Sequence, residues 1–308
     1  MQAQDIKKVL VIGPGLMGRQ IALQCALFDV EVSMFGRSEI SLARARRHLK
    51  RYAQYLIQSG YITPERAAEA LDRITLTMDP VAAAANVDLV SESVSENLDL
   101  KRQIWAQFGK LLSPQAILTT NSSVILPSEF ADACSRPERF LAWHFHQLCF
   151  IKNVVDVMPH PGTDAECLAT VVEFSRQLEL QPIALKKEHR GYVFNAMLTR
   201  FLAAALELAV ADIASIQDID QAWMTVMQST HGPFGIMDGV GLDTVANILK
   251  FGVEVEPQNS LYPQALAWLQ PKIDQGQLGQ KTGCGFYNYS RPKLVRAKKR
   301  EANSSFPA

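Results

Sequence analysis

His144 lies near the end of an apolar run, Phe140 to Phe145, and a second histidine, His146, follows just beyond it. Imidazole changes charge near neutral pH, so a histidine at a strand end is a candidate to take or return a hydroxyl proton. Asp156 sits in the next apolar run, Val154 to Met158. Beside a histidine, a carboxylate orients the ring and stabilises imidazolium as it forms. His146 points to the face of His144 if the strand continues, because strand side chains alternate, and it is the rival for the same role. Another strand end, Thr119-Thr120-Asn121-Ser122-Ser123, adds hydroxyls and an amide. Taken alone, His144 reads more readily as a core histidine with its hydrogen bonds satisfied than as a base.

What gives the base a task is a turn near the N-terminus. An apolar strand, Lys8 to Ile12, runs into Gly13-Pro14-Gly15-Leu16-Met17-Gly18 and then into a helical stretch, Arg19 to Phe28, with a second strand at Val30 to Phe35. That order defines a dinucleotide-binding turn. Gly13 permits the bend, Gly15 lets the backbone approach a pyrophosphate, and Gly18 lets helix and strand pack closely. A nicotinamide held there would exchange hydride with the carbon whose hydroxyl proton His144 takes.

The second strand ends in Gly36-Arg37-Ser38, where a carboxylate usually holds the ribose hydroxyls. A 2′-phosphate meets no repulsion there. Gly36 leaves room, Arg37 offers a guanidinium fork and Ser38 a hydroxyl, so NADP(H) is favoured over NAD(H). The plainer reading makes Arg37 a solvated charge and the cofactor NAD, bound with one contact fewer.

These residues need a frame. Further strands are predicted at Ile74 to Met78, Val87 to Ser91, Ala116 to Asn121 and Pro182 to Leu185, alternating with helical stretches. The pattern predicts an α/β fold: a Rossmann-type dinucleotide-binding domain with a mainly parallel sheet, followed by an all-α C-terminal domain. The domains are 1-187, with a helical-hairpin insert at 39-73 standing off the sheet, then 188-290 for substrate and dimerisation, and a tail at 291-308. Helices are expected at Tyr192 to Ala211, Ile219 to Met227, Asp243 to Phe251 and Gln264 to Asp274. Ligands in such folds bind at the carboxyl ends of the strands, where the three polar ends converge.

With 31 basic and 31 acidic residues among 308, the chain has no net charge to draw it to nucleic acid or a membrane surface. The stretch Phe201 to Ile216 is apolar but carries Glu207 and Asp212 and is too short to span a bilayer. The polar start, Met1 to Asp5, lacks an apolar signal core. Five scattered cysteines without C-x-x-C spacing suit reduced thiols and a cytoplasmic location, and no metal-ligand spacing is evident.

At the level of motifs, the chain resembles the 3-hydroxyacyl-CoA dehydrogenase family over nearly its whole length. The resemblance is carried by the glycine turn, Ser91 to Leu98 with Lys101, Asn121-Ser122-Ser123, His144-Phe145 and Gly191 to Asn195. It continues through His231 to Gly235 with Asp238, Val240 to Asp243 and Gly279 to Tyr287. It implies His144 as the catalytic base and Asp156 in place of the family's orienting glutamate. Ser123 and Asn195 would bind the substrate's 3-oxygen, Glu96, Lys101 and Gln147 would meet the nicotinamide end, and Lys281 would approach the cofactor. It implies also a homodimer formed through the C-terminal helices.

Each of those residues has a structural alternative. Glu96 and Lys101 could be a surface ion pair, Ser123 a cap on a following helix, Asn195 a bond to a neighbouring helix, and the C-terminal glycines a packed turn. Departures from the family pattern are His146-Gln147-Leu148-Cys149 in place of its usual residues after His-Phe, Arg190 for proline, Ala196 for arginine, and the shorter acid at 156. Cations on the insert, Arg44, Arg46, Arg47, Lys50 and Arg51, suit either CoA phosphates or a solvated face. The expected activity interconverts a 3-hydroxyacyl-CoA and its 3-ketoacyl form. Its alternatives are a dehydrogenase of a free 3-hydroxy acid, such as a sugar acid or carnitine, and a non-catalytic nucleotide-binding protein.

Overall fold

The computed structural model describes residues 1–289, and the tail expected at 291-308 lies outside them. Two compact units divide the chain: the first runs from Met1 to Val193, a few residues past the expected 187, and the second opens at Phe194.

The first unit is built on eight strands: β1 (Lys8–Ile12), β2 (Glu31–Phe35), β3 (Ile74–Thr77), β4 (Leu89–Glu92), β5 (Ile117–Thr120), β6 (Phe140–Phe145), β7 (Val154–Pro159) and β8 (Gln181–Ala184). They lie in the order β3-β2-β1-β4-β5-β6-β7-β8. β1 to β6 are mutually parallel, whereas β7 runs antiparallel to β6 and carries β8 with it. Every expected strand is present within a residue or two of its predicted bounds.

Alternation explains the two cores. Val9, Val11, Leu141, Trp143, Phe145, Val155 and Val157 enter one apolar cluster with Ile21, Leu23 and Phe174. Leu10, Ile12, Val90 and Phe140 enter the other with Trp105, Phe108 and Phe130. With Trp143, Phe145, Val155 and Val157 committed to the first face, His144 and Asp156 point from the second.

The crossovers are α1 (Leu16–Leu27), α2 (Glu39–Gln58), α3 (Pro64–Asp72), α4 (Pro80–Ala84), α5 (Leu98–Phe108) and α6 (Ala165–Gln177). α1 starts at Leu16, three residues before the expected Arg19, because Gly15 already serves as its N-cap. The insert is the expected hairpin, α2 and α3, each capped by a hydroxyl, Ser38 and Thr63. It does not stand off: Ala45, Leu49, Leu56 and Ala70 are buried in the same core as Ile21 and Leu23 of α1. Ser123 caps no α-helix, since the segment after it forms 3₁₀ turns at Pro127–Glu129 and Ala131–Ala133.

In the second unit α7 (Phe194–Val210), α8 (Ile216–Met227), α9 (Pro233–Val240), α10 (Leu242–Val255) and α11 (Leu261–Asp274) enclose Leu206, Phe234, Met237, Leu242, Leu249, Leu269 and Phe286. The buried Asp238 accepts from the Phe286 and Tyr287 amides, each at 2.9 Å, and from the Tyr289 hydroxyl at 2.8 Å. The C-terminal glycine-rich segment is thereby tied to α9. Among the described residues no helix is long and apolar enough to cross a membrane.

Candidate active site

The glycine turn has the bend and the close helix–strand packing that its spacing predicts. Gly13 has φ +107°, and a Cβ there would meet the Ser93 carbonyl oxygen at 2.6 Å. A Cβ on Gly18 would come within 2.0 Å of the Gly13 oxygen, so only glycine lets α1 approach β1 this closely. At Gly15 a Cβ would find nothing nearer than 3.8 Å, which leaves its backbone open to a ligand. Beside it lies a cleft of about 240 Å³ lined by Gly13, Pro14, Gly15, Arg37, Ser38 and Ser95, among others. An open glycine backbone at a helix N-terminus, in a cleft between strand ends, fits a dinucleotide. Leu16 and Met17 form the first turn of α1, exposed and half-buried respectively.

Arg37 is exposed on the rim of this cleft. The Ser38 hydroxyl accepts from the Ser41 amide at 3.3 Å, as a helix cap, and its own proton remains available for donation. Gly36 works differently from expectation. The space its Cβ would need is filled by Leu42 at 2.7 Å and Pro14 at 2.8 Å, so its bareness serves packing and does not open room for a phosphate.

At the other end of the sheet the register pairs His144 directly with Asp156. His144 Nδ1 lies 3.2 Å from Asp156 Oδ2, and His144 Nε2 lies 3.1 Å from Ser123 Oγ. An ionised carboxylate only accepts, so Nδ1 carries the proton, Nε2 is bare, and the Ser123 hydroxyl donates to it. His144 and Asp156 are almost wholly buried, and Ser123 is exposed. Burial holds the His144 pKa below its ordinary value, against the opposing pull of Asp156. Burial alone would raise Asp156. The bonds from His144 and His146 outweigh it and keep the carboxyl below the usual range.

His146 lies beyond the end of β6, half-buried, with Nε2 also 3.2 Å from Asp156 Oδ2. The three side chains offer ligand atoms within 4.8 Å of one another, and they are the one such trio found among the described residues. Both imidazoles already contact the shared oxygen.

Further residues position this group, and of these Tyr192 and Glu92 were given no role from the sequence. The Tyr192 ring stacks on His144 at 4.3 Å, and its hydroxyl donates to the Ser122 carbonyl at 2.6 Å. Asn121 Oδ1 accepts from the Phe145 amide at 2.8 Å, tying the end of β5 to the strand that carries His144. Glu92, fully buried at the end of β4, receives the Lys101 ammonium at 2.9 Å and the Thr120 hydroxyl at 2.8 Å. An acid ending an otherwise apolar strand was the available signal for Glu92. Tyr192 had none beyond its place beside Gly191.

Lys101 is therefore enclosed, with its second acid, Glu96, at 3.5 Å. Glu96 accepts from the Ser122 hydroxyl and from the Val124 and Ile125 amides, at 2.9 and 3.1 Å. Burial would raise Glu96, but the Lys101 charge and these bonds prevail and keep it ionised. This network fixes the segment bearing Ser123. Gln147 is exposed in the turn after β6. In the second unit, Asn195 is half-buried in the first turn of α7, and Lys281 pairs with Asp243.

A dinucleotide cleft and a Ser-His-Asp chain on one sheet define a nicotinamide-dependent oxidoreductase scaffold. Residues 8–189 match the domain described as 3-hydroxyacyl-CoA dehydrogenase, NAD binding domain, and residues 191–289 match the C-terminal domain of the same family. The chain belongs to the 3-hydroxyacyl-CoA dehydrogenase family. It is 30% identical over 289 residues to the mitochondrial hydroxyacyl-coenzyme A dehydrogenase of Rattus norvegicus, covering 92% of this chain and 91% of that one. It is also 30% identical over 285 residues to a 3-hydroxybutyryl-CoA dehydrogenase of Mycobacterium tuberculosis, covering 92% and 99%. A solved diketoreductase, described by its substrate-directed dual catalysis of dicarbonyl compounds, superposes with a TM-score of 0.86 at 37% identity, covering 92% and 99%.

Proposed function

We propose that this protein interconverts a 3-hydroxyacyl-CoA and its 3-ketoacyl-CoA with His144 as general base and acid. The observation that carries the reading is the chain Ser123, His144, Asp156 at the strand ends, in the sheet that also bears the dinucleotide cleft. In that cleft a bound nicotinamide cofactor supplies or accepts the hydride. During oxidation the bare Nε2 of His144 takes the proton of the substrate's 3-hydroxyl. Asp156, bonded to Nδ1, stabilises the imidazolium so formed. In reduction the imidazolium returns that proton to the developing alkoxide, and the Ser123 hydroxyl donates to the same oxygen. Asn195 enters this reading from the family resemblance, as a further donor to that oxygen, and so do Gln147 and Lys281 on the cofactor side.

The cofactor is NADP(H) in preference to NAD(H). Arg37 on the cleft rim and the spare Ser38 proton support it, and the end of β2 carries no carboxylate. For the CoA arm, Arg44, Arg46, Arg47, Lys50 and Arg51 are all exposed on α2. Partial burial, and then the charges of Arg19, Arg51, Arg47 and Arg44, lower the pKa of His48 among them, the sign of a field suited to phosphates.

A second reading, a dehydrogenase acting on a free 3-hydroxy acid or dicarbonyl compound, is favoured by the likeness to the diketoreductase. We place the protein in a reducing, cytoplasmic setting, since its five cysteines are free thiols. We read it as a homodimer, because Ile213, Val226 and Met227 of the second unit are more than half exposed. The deciding experiment follows NADPH and NADH absorbance with acetoacetyl-CoA, longer 3-ketoacyl-CoAs and free 3-keto acids. Turnover of the thioesters supports the first reading, turnover of the free acids alone supports the second, and turnover of none rejects both. Light scattering of the eluting protein tests the dimer.

A further inference from the structure

Asp156 carries two imidazoles on one oxygen. Oδ2 lies 3.2 Å from His144 Nδ1 and 3.2 Å from His146 Nε2, and the two rings meet edge to face, centroids 5.1 Å apart at 82°. Oδ1 has no hydrogen-bond partner among the described residues, although Asp156 is only 1% exposed. The terminal torsion of an aspartate is soft, so a single donor on one oxygen leaves the carboxylate free to turn. A second contact on the same oxygen from another direction, His146 Nε2, restricts that freedom.

We propose that His146 is a positioning residue for His144, acting through Asp156: it pins the oxygen that orients the catalytic ring. The inference rests on the reading of His144 as the base. The groups facing His144 are Asp156 on β7, His146, Glu96 after β4, and Tyr192 stacked on its ring. Glu92, Glu96, Asp156 and Glu188 bear in turn on Tyr192, whose burial holds its hydroxyl protonated far above neutrality. His146 packs edge to face against His144 and opposes a proton there, so with His146 gone His144 binds its proton more tightly. The acid limb of the oxidation profile then moves to higher pH.

The test compares His146→Phe, His146→Gln, Asp156→Glu and the double variant Asp156→Glu/His146→Phe. It reads pH profiles of kcat and KM together with the imidazole ¹⁵N and Nδ1 proton resonances of the whole protein. His146→Phe should lower kcat about tenfold, as loss of an outer hydrogen-bonding partner does, with KM for cofactor nearly unchanged. It should also weaken the Nδ1 proton signal of His144 and raise the acid limb. His146→Gln keeps an N–H donor and should recover most of the rate and the signal. In the Asp156→Glu background, where the acid reaches further, His146→Phe should cost much less. Equal losses in both backgrounds, or glutamine no better than phenylalanine, would overturn the proposal, as would an unshifted acid limb with wild-type kcat. If no substrate is turned over yet the resonance weakens in the phenylalanine variant and returns in the glutamine variant, the positioning stands and the reaction assignment fails.

Discussion

Tyr192 lies flat on His144, with ring centroids 4.3 Å apart and planes 4° from parallel, while its hydroxyl reaches the Ser122 carbonyl. The imidazole is thus held through one face by the stack and through its two nitrogens by Asp156 and Ser123.

Tyr192→Phe keeps the stack and loses one buried hydrogen bond, so unfolding stability should fall by about 1–2 kcal/mol with kcat within a few-fold of wild type. Tyr192→Ala removes the stack and leaves a cavity, costing about 3–5 kcal/mol in urea unfolding and a much larger share of kcat. Equal kcat in the two variants would mean the ring does not orient the base.

His144→Ala should reduce turnover by about 10²–10⁴ with cofactor affinity little changed, the range expected for a general base. His146→Ala should cost far less. A reversal of the two effects, measured by steady-state kinetics and cofactor titration, would exchange their roles.

The pH dependence follows from the depressed His144 pKa. Oxidation needs a neutral imidazole, so its acid limb should lie below about pH 6.5, the ordinary value. Reduction needs the imidazolium and should gain as pH falls toward that limb. The unfolded imidazole binds its proton more strongly than the folded one, so stability should decline as pH drops through about 6.5. Asp156, also held low, adds its own loss only below about pH 4. Urea midpoints at pH 8 and 5.5, compared with His144→Gln, check the sign; identical midpoint shifts in both proteins would remove His144 from the account.

Arg37→Ala should weaken NADPH by about one to two decades, the worth of a charge-assisted contact, and leave NADH unchanged. Equal affinity of the wild type for both cofactors would make Arg37 a plain surface charge.

Lys101→Met strands the Glu92 carboxylate, which has no exposed surface, and should cost about 3–5 kcal/mol. Replacing both residues, Lys101→Met with Glu92→Gln, should restore most of that. Urea unfolding of the single and double variants measures it, and additive losses would contradict a closed buried pair.

Apolar runs alternating with helical stretches located the sheet, and a histidine and an acid on neighbouring runs, with the family resemblance, suggested the dyad; the strand register places Asp156 directly opposite His144. The glycine turn was legible for a similar reason, since its spacing reports backbone contact. What sequence could not supply was anything created by distant segments crossing. Tyr192 meets His144 across a long stretch of chain, and Lys101 reaches Glu92 from the next helix, so an apparent surface pair became a buried one. The fit of Pro14 and Leu42 against Gly36 was hidden in the same way, and so was the docking of the α2–α3 hairpin on α1.

The direct pairing of His144 with Asp156 has a consequence for the segment that joins their strands. Their separation is measured by the ladder between β6 and β7, not by the chain that joins the strands, and a slip of one residue would turn either side chain to the opposite face. The sheet works as a ruler, and the connecting residues 147–153 carry no part of that measurement. Insertions and substitutions there can reshape what the mouth of the site admits while the ladder still sets position 156 opposite position 144, whichever acid stands at 156.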